Sequence, residues 1–246
     1  MSEQVQPSQP ASMWIIPDAA HLETLAEFAA GAGHEINNPL ATIIGRAQQL
    51  LKDERDPQRR QMLQSIGAQA YRVRDMIGDT MLFGRPPTPE LQEVRLSVIV
   101  DEVVSRQADQ TAAAACTVEC QIPPEITLQA DPAQLSIVVS ELLRNCRQAY
   151  LPEGGTIVIR AARHESEIQI EFVDHGRGFT EPERIHAFDP FFSGRQAGRG
   201  LGFGLPKCWQ IVRQHGGRIE IESCLGGPTV ARVHWPVDQA NRQKNR

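Results

Sequence analysis

The chain has 246 residues, enough at roughly 150 residues per domain for one large domain or two small ones. With 41% hydrophobic and 22% charged residues and a formal net charge of −5, it excludes a disordered, collagen-like or disulfide-framework protein. It also excludes one held to nucleic acid by a general positive field. Aromatic residues are only 5%, so the core is expected to be mostly aliphatic.

Residues 1–18 read as a flexible lead rich in Gln, Ser and Pro, and Met1 to Pro10 carries no basic residue, unlike a secretory signal. No apolar run reaches the roughly 18 residues that span a bilayer. The five cysteines form no CxxC pair, which suits reduced thiols in the cytoplasm.

Residues 19–84 are expected to form a helical hairpin. Leu22, Leu25, Ala29, Ala32, Ile36, Leu40, Ile43, Ala47 and Leu50 recur in steps of three and four, a heptad-like stripe with one extra four-residue step. That step brackets Pro39, which removes a backbone donor and should bend the helix. Asp53 to Pro57 reads as a turn. Leu63, Ile66, Ala70, Val73, Ile77 and Met81 then give a second helix its apolar face. Such narrow stripes need a partner hairpin, so a dimeric four-helix bundle is expected.

The proline run of 85–89 marks a linker. Beyond it, 90–238 reads as an α/β sandwich: helices at 96–108, 135–150 and 205–215, and strands at 117–122, 126–130, 156–161, 168–173, 218–223 and 229–235. Residues 239–246 are a polar tail. The fold class is therefore α+β, a helical hairpin followed by a sandwich domain.

Four clusters carry chemistry. In Gly33-His34-Glu35-Ile36-Asn37-Asn38-Pro39-Leu40, His34 falls about 200° round the helix from Ala32, away from the packing stripe, and Asn38 lies one turn on. Glu35 can hold or deprotonate one ring nitrogen while the other attacks, and a solvated surface histidine is the competing reading. Glu141 and Asn145, i and i+4 on one helix, can share a hydrated Mg2+, though the same pattern occurs in ordinary amphipathic helices. Asp174-His175-Gly176-Arg177-Gly178 ends a strand, where a carboxylate can accept from an exocyclic amine and glycines let backbone approach a flat ring. Gly198 to Leu205, with Gly200, Gly202 and Gly204, can aim backbone N–H groups at phosphate oxygens before a helix. Neither glycine cluster is a Walker loop, and the Asp174 cluster does not follow the dinucleotide fingerprint.

Taken in order, and with Phe188-Asp189-Pro190-Phe191-Phe192 between the last two, these motifs resemble the sensor histidine kinases of two-component signalling over residues 20–237. The HEINNPL form is similar to the nitrogen-regulatory type. The resemblance implies a phosphoacceptor hairpin followed by an ATP-binding domain of the gyrase, chaperone and mismatch-repair ATPase superfamily. It implies His34 as phosphoacceptor, Glu35 as its acid–base partner and Asn38 as a water-positioning residue when the kinase dephosphorylates its partner. Asn145 then matches the Mg2+ ligand and Asp174 the adenine-reading acid beside Gly176 and Gly178. Phe188, Phe191 and Phe192 match the hinge of a lid at 193–203, Gly200, Gly202 and Gly204 its phosphate-facing glycines, and Thr229 a share of the adenine site. Leu205 closes the last motif. The chain departs from the family in Glu141, where Asn is common, in Arg195, where a lid Lys is common, and in Pro228, which replaces a glycine.

The implied function is autophosphorylation of His34 from ATP and transfer to an aspartate of a response regulator receiver domain, with phosphatase activity on that regulator as a companion. The implied assembly is a homodimer. The alternatives are a nucleotide-binding scaffold, or an ATPase with Glu141 as its base and no stable phosphohistidine. The short segment before the hairpin is too small for a sensory domain, so the input is expected from a separate sensory protein or from a longer parent chain.

Overall fold

The computed structural model describes residues 13–150, 152–192 and 202–237. The chain divides into two compact units, Asp18–Pro87 with Asp189–Lys207, and Met1–Pro17, Thr88–Phe188 and Cys208–Arg246.

The first unit is built on α1 (Ala19–Asp53) and α2 (Pro57–Gly84). Asp18 caps α1 by accepting the His21 N–H, and Asp56 caps α2 by accepting those of Gln58 and Arg59 at 2.8 and 3.0 Å. Pro57 takes the first helical turn, where its missing N–H costs nothing. In the joining turn Arg60 donates to the Leu51 and Glu54 carbonyls. Helix α1 runs through Pro39 without interruption. Leu40, Ile44 and Ala70 form the buried core of the pair, with Tyr71 against them. The helices approach closely where side chains vanish: a Cβ at Gly84 would meet Ala30 N at 2.6 Å, and one at Gly33 would meet Met81 Cγ at 2.5 Å.

Burial differs from the single expected stripe. The buried seam of α1 is Leu22, Ala26, Ala29, Ala30, Leu40, Ile44 and Ala47, whereas Ile36, Ile43 and Leu50 are exposed, as are Ile66 and Val73 on α2. The hairpin thus has two apolar faces, one closed against its own second helix and one left open.

The second unit starts with an element that the lead of 1–18 did not announce. Met13–Ile15 form β1, pairing antiparallel with β7 (Arg218–Ser223). Three residues are too few to show a period, but Ile15 is buried and the Trp14 ring lies 4.6 Å from the Arg232 guanidinium. The remaining strands are β2 (Gln92–Arg95), β3 (Cys116–Gln121), β4 (Thr127–Ala130), β5 (Gly155–Arg163), β6 (Glu167–Asp174) and β8 (Thr229–Pro236). Six strands make one sheet in the order β1-β7-β8-β6-β5-β3, with β3 parallel to β5 and the other pairs antiparallel; β2 and β4 pair separately.

Alternation divides the sheet. Ile157, Ile159, Ile168, Ile170, Phe172, Ile219, Ile221, Val233 and Trp235 are buried on one face. The other carries an ion-pair ladder across four strands, Arg160–Glu171 at 2.5 Å, Glu171–Arg232 at 2.6 Å and Arg232–Glu222 at 2.8 Å. The helices are α3 (Leu96–Arg106), α4 (Ala108–Ala113), α5 (Pro132–Ala149), the short α6 (Glu181–Ile185) and α7 (Gly204–Gln214). Helix α5 packs on β5, β6 and α3. Buried His215, just past α7, faces the Ile211 carbonyl with Nδ1 at 2.8 Å and accepts the Asp131 N–H on Nε2 at 3.1 Å, a network that assigns the Nδ1–H tautomer.

Asp131 also starts α5, accepting the N–H groups of Ala133 and Gln134 at 2.9 and 3.0 Å. Asp131→Ala is therefore expected to cost about 1 kcal/mol and to lower the melting temperature by about 2–4 °C in a thermal unfolding scan.

Candidate functional site

The end of β6 and the last turns of α5 bring one group of expected residues together. Asp174 is 2% exposed, and its Oδ1 accepts the Gly176 N–H at 3.0 Å. Burial drives the Asp174 carboxyl up from the ordinary range to about 6, against the opposing pull of the Gly176 N–H, the Cys146 thiol and the His175 charge. Thr229 is its register partner on β8, and the Thr229 hydroxyl hydrogen-bonds Ser223 Oγ at 2.8 Å.

The loop after Asp174 is pinned on every side. The Arg177 N–H donates to the Ala149 carbonyl at 3.1 Å, and the Gly226 N–H donates to the Arg177 carbonyl at 2.8 Å. The Arg177 guanidinium grips Glu183 with two bonds at 3.0 and 2.5 Å, and Glu183 completes a capping box with Thr180 at the start of α6. Both loop glycines are required. A Cβ at Gly176 would meet the Ala149 carbonyl at 2.5 Å, while Gly178 has φ +67° and a Cβ there would collide with the Cys224 carbonyl. The loop is a rigid backbone shelf beside a buried carboxylate.

On α5, Asn145 is half-buried and Glu141, one turn earlier, is buried and ion-paired with Arg144. Glu141 and Asn145 stand one turn apart on α5, and Glu141 is buried with Arg144 as its counter-ion.

Three residues of this site carried no signal in the sequence. The Cys146 thiol hydrogen-bonds Asp174. Tyr150 Oη accepts the His175 N–H at 2.7 Å and donates to the Thr156 carbonyl at 2.6 Å, tying the loop to β5. Ser223 supports Thr229. Cys146 was legible only as the neighbour of Asn145; the other two become neighbours of the site through the sheet alone.

Phe188 is buried. Phe191 is exposed with φ +65°, a strained left-handed backbone for a bulky residue, and its ring meets that of Phe203 edge-on at 4.7 Å between centroids. Phe192 is half-buried, and Gly202 (φ +70°) sits so close that a Cβ there would strike the Phe192 backbone, 2.6 Å from its nitrogen. Gly204 is the first residue of α7, with Leu205 after it. Arg195 and Gly200 lie outside the described residues.

In the hairpin, His34 lies on α1, and its side chain is outside the described part. Glu35 and Asn38 are exposed, and for Asn38 this follows from its place one turn after His34, off the packing stripe. Asn37 donates to Met81 Sδ at 3.0 Å, which fixes the turn after His34 to α2.

The chain is thus a two-helix hairpin ahead of a mixed sheet backed by helices, with a strand-end carboxylate and a glycine shelf. The family description "His Kinase A (phospho-acceptor) domain" matches residues 24–89, and "Histidine kinase-, DNA gyrase B-, and HSP90-like ATPase" matches 130–239. The chain belongs to the two-component sensor histidine kinases. It is 33% identical over 230 residues to the C4-dicarboxylate transport sensor protein DctS of Rhodobacter capsulatus, covering 89% of this chain and 34% of that one. It is 28% identical over 219 residues to the sensor histidine kinase ZraS of Klebsiella oxytoca, covering 88% and 47%. The chain therefore spans a third to a half of the length of these relatives. Full-length ShkA, solved in complex with AMPPNP, shares the fold with a TM-score of 0.71 at 18% identity, over 87% of this chain and 46% of that one. Among the described residues no helix is long and apolar enough to cross a membrane.

Proposed function

We propose that this chain is an ATP-dependent protein-histidine kinase that phosphorylates its own His34 and hands the phosphoryl group to an aspartate on a response regulator receiver domain. The observation that carries the reading is the buried Asp174 carboxylate beside the Gly176–Gly178 shelf: an acceptor for the exocyclic amine of adenine, with backbone that cannot be crowded by side chains. ATP fits these residues by its chemistry, a donor on the base edge meeting a carboxylate and a flat ring meeting glycine backbone.

Asn145 and Glu141 lie one turn apart on α5, and two oxygens from one helix suit Mg2+, which keeps several waters and phosphate oxygens in its shell. Mg2+ supplies charge compensation on the triphosphate when bound. Arg144 holds the Glu141 carboxylate in an ion pair. Water activation by Glu141, and with it the ATPase reading, is the alternative that the labelling experiment below separates.

In the proposed step a ring nitrogen of His34 attacks the γ-phosphorus in line, a P–N bond forms as the bond to the bridging oxygen breaks, and ADP leaves. Glu35, exposed beside it, takes the proton from the other ring nitrogen. Asn38, one turn on, positions water when the phosphorylated regulator is hydrolysed. The open Ile36, Ile43, Leu50, Ile66 and Val73 face is assigned to a second hairpin in a homodimer. The thiols are assigned to the reducing cytoplasm.

Because the adenine contact needs an ionised acceptor, ATP affinity is expected to be flat above pH 7 and to fall as pH drops through about 6, where Asp174 takes up its proton. Calorimetric titration of ATP between pH 5 and 8 reads this limb directly. The kinase reading itself is tested with γ-labelled ATP: the chain should retain up to one labelled phosphoryl group, with ADP appearing in proportion. ADP accumulating far beyond the retained label would replace the kinase by an ATPase.

A further inference from the structure

Cys146 directly follows Asn145 but points inward, at 3% exposed. Its thiol hydrogen-bonds the carboxylate of Asp174, itself 2% exposed. The same carboxylate accepts the Gly176 N–H through Oδ1 at 3.0 Å. One donor comes from α5 and the other from the loop after β6, so the group is held from two elements at once. The preceding N–H of the loop, that of His175, is engaged with Tyr150 Oη at 2.7 Å, and the Thr229 hydroxyl with Ser223 at 2.8 Å. A carboxylate offers about four lone-pair positions, so two protein donors leave capacity for one more donor from a ligand.

We infer that Cys146 is a positioning residue for base recognition: its S–H fixes the Asp174 carboxylate so that a remaining lone pair meets the exocyclic amine of adenine. The inference rests on Asp174 reading adenine. Its consequence is selectivity between purines. Adenine presents an N–H donor at position 6, whereas hypoxanthine presents a carbonyl oxygen at the same place. A carboxylate held in one orientation meets the first with a hydrogen bond and the second with two acceptors face to face. A carboxylate free to turn away loses part of the first and relieves part of the second. Cys146 thereby acts on the base through Asp174 and touches no phosphate.

The alternative is that Cys146 only fills space, as buried cysteines commonly do. The two are separated with the full 246-residue chain, measuring dissociation constants for ATP and for inosine triphosphate, which differ at the position-6 group. Cys146→Ala removes the thiol, and Cys146→Val removes the donor while keeping about the same volume, so one covers for the other should it fold poorly. Both are expected to weaken ATP about three- to tenfold, the effect of one modest hydrogen bond. Inosine triphosphate affinity should stay within about twofold, and Cys146→Ser, which keeps a donor, should restore ATP binding. Equal weakening of both nucleotides, or unchanged ATP affinity in the Ala and Val variants, would overturn the assignment. Asp174→Asn separates this from failure of the parent reading. If that variant leaves the ATP preference intact, Asp174 does not read the base. If it abolishes the preference while Ala and Val at 146 preserve it, only the role of Cys146 falls.

Discussion

Asp174→Asn is expected to weaken ATP binding by about 10- to 150-fold while making the nucleotide-free protein more stable at neutral pH. The affinity loss follows from exchanging a charged acceptor, whose hydrogen bonds contribute about 1.5–3 kcal/mol, for a neutral amide. The stability gain follows from the raised carboxyl. An acid whose folded pKa lies at about 6 rather than 3.8 favours folding in its protonated form. Its contribution is fully present below the unfolded value and disappears as pH rises from about 4 through 6, leaving a cost of about 2–3 kcal/mol above that range. Asparagine carries no charge to desolvate and can still accept the Gly176 N–H. Calorimetric melting at pH 7.5 and pH 3 should therefore show the variant ahead at the higher pH and nearly level at the lower. A residue kept only for structure would lose stability on substitution; one kept for binding gains it.

The second large effect falls in the hairpin. His34→Gln preserves much of the side-chain volume and removes the ring nitrogen proposed to attack, so labelled phosphoryl uptake should drop below detection, at least about a thousandfold. The proposed nucleotide site draws on α5, β6, β7 and β8 instead, so ATP titrations of this variant should match the parent chain. Loss of label with ATP binding intact would separate the acceptor from the nucleotide machinery.

How far the sequence spoke depended on the range of each interaction. The hairpin was legible because its stripes are local, whereas the caps of α1 and α2, Asp18 and Asp56, were read only as part of the lead and of the turn. The division of its apolar residues between two faces was not, because Ile36 and Ile43 obey the same spacing as Leu40 and Ala47 and only packing tells them apart. In the sandwich, β5 to β8 showed the alternation of a half-buried sheet, whereas β1 and β2 are three and four residues long and owe their form to the neighbours they pair with. Asp174, Gly176 and Gly178 are contiguous and could be read as one motif. Cys146 and Tyr150 could not: they reach the carboxylate and its loop across 28 and 25 positions of chain, through the packing of α5 on β6. Glu141 shows the same limit, since helical spacing relates it to Asn145 at i+4 but announces neither its burial nor its ion pair with Arg144.

The most direct test of the account is to phosphorylate the chain with γ-labelled ATP, digest it under alkaline conditions and locate the phosphoryl group. The prediction is a single labelled peptide containing His34, with label stable in alkali and lost in acid, as a phosphoramidate requires. An acid-stable phosphoester on a serine or threonine, or ADP release with no phosphoryl group on any peptide, would contradict it.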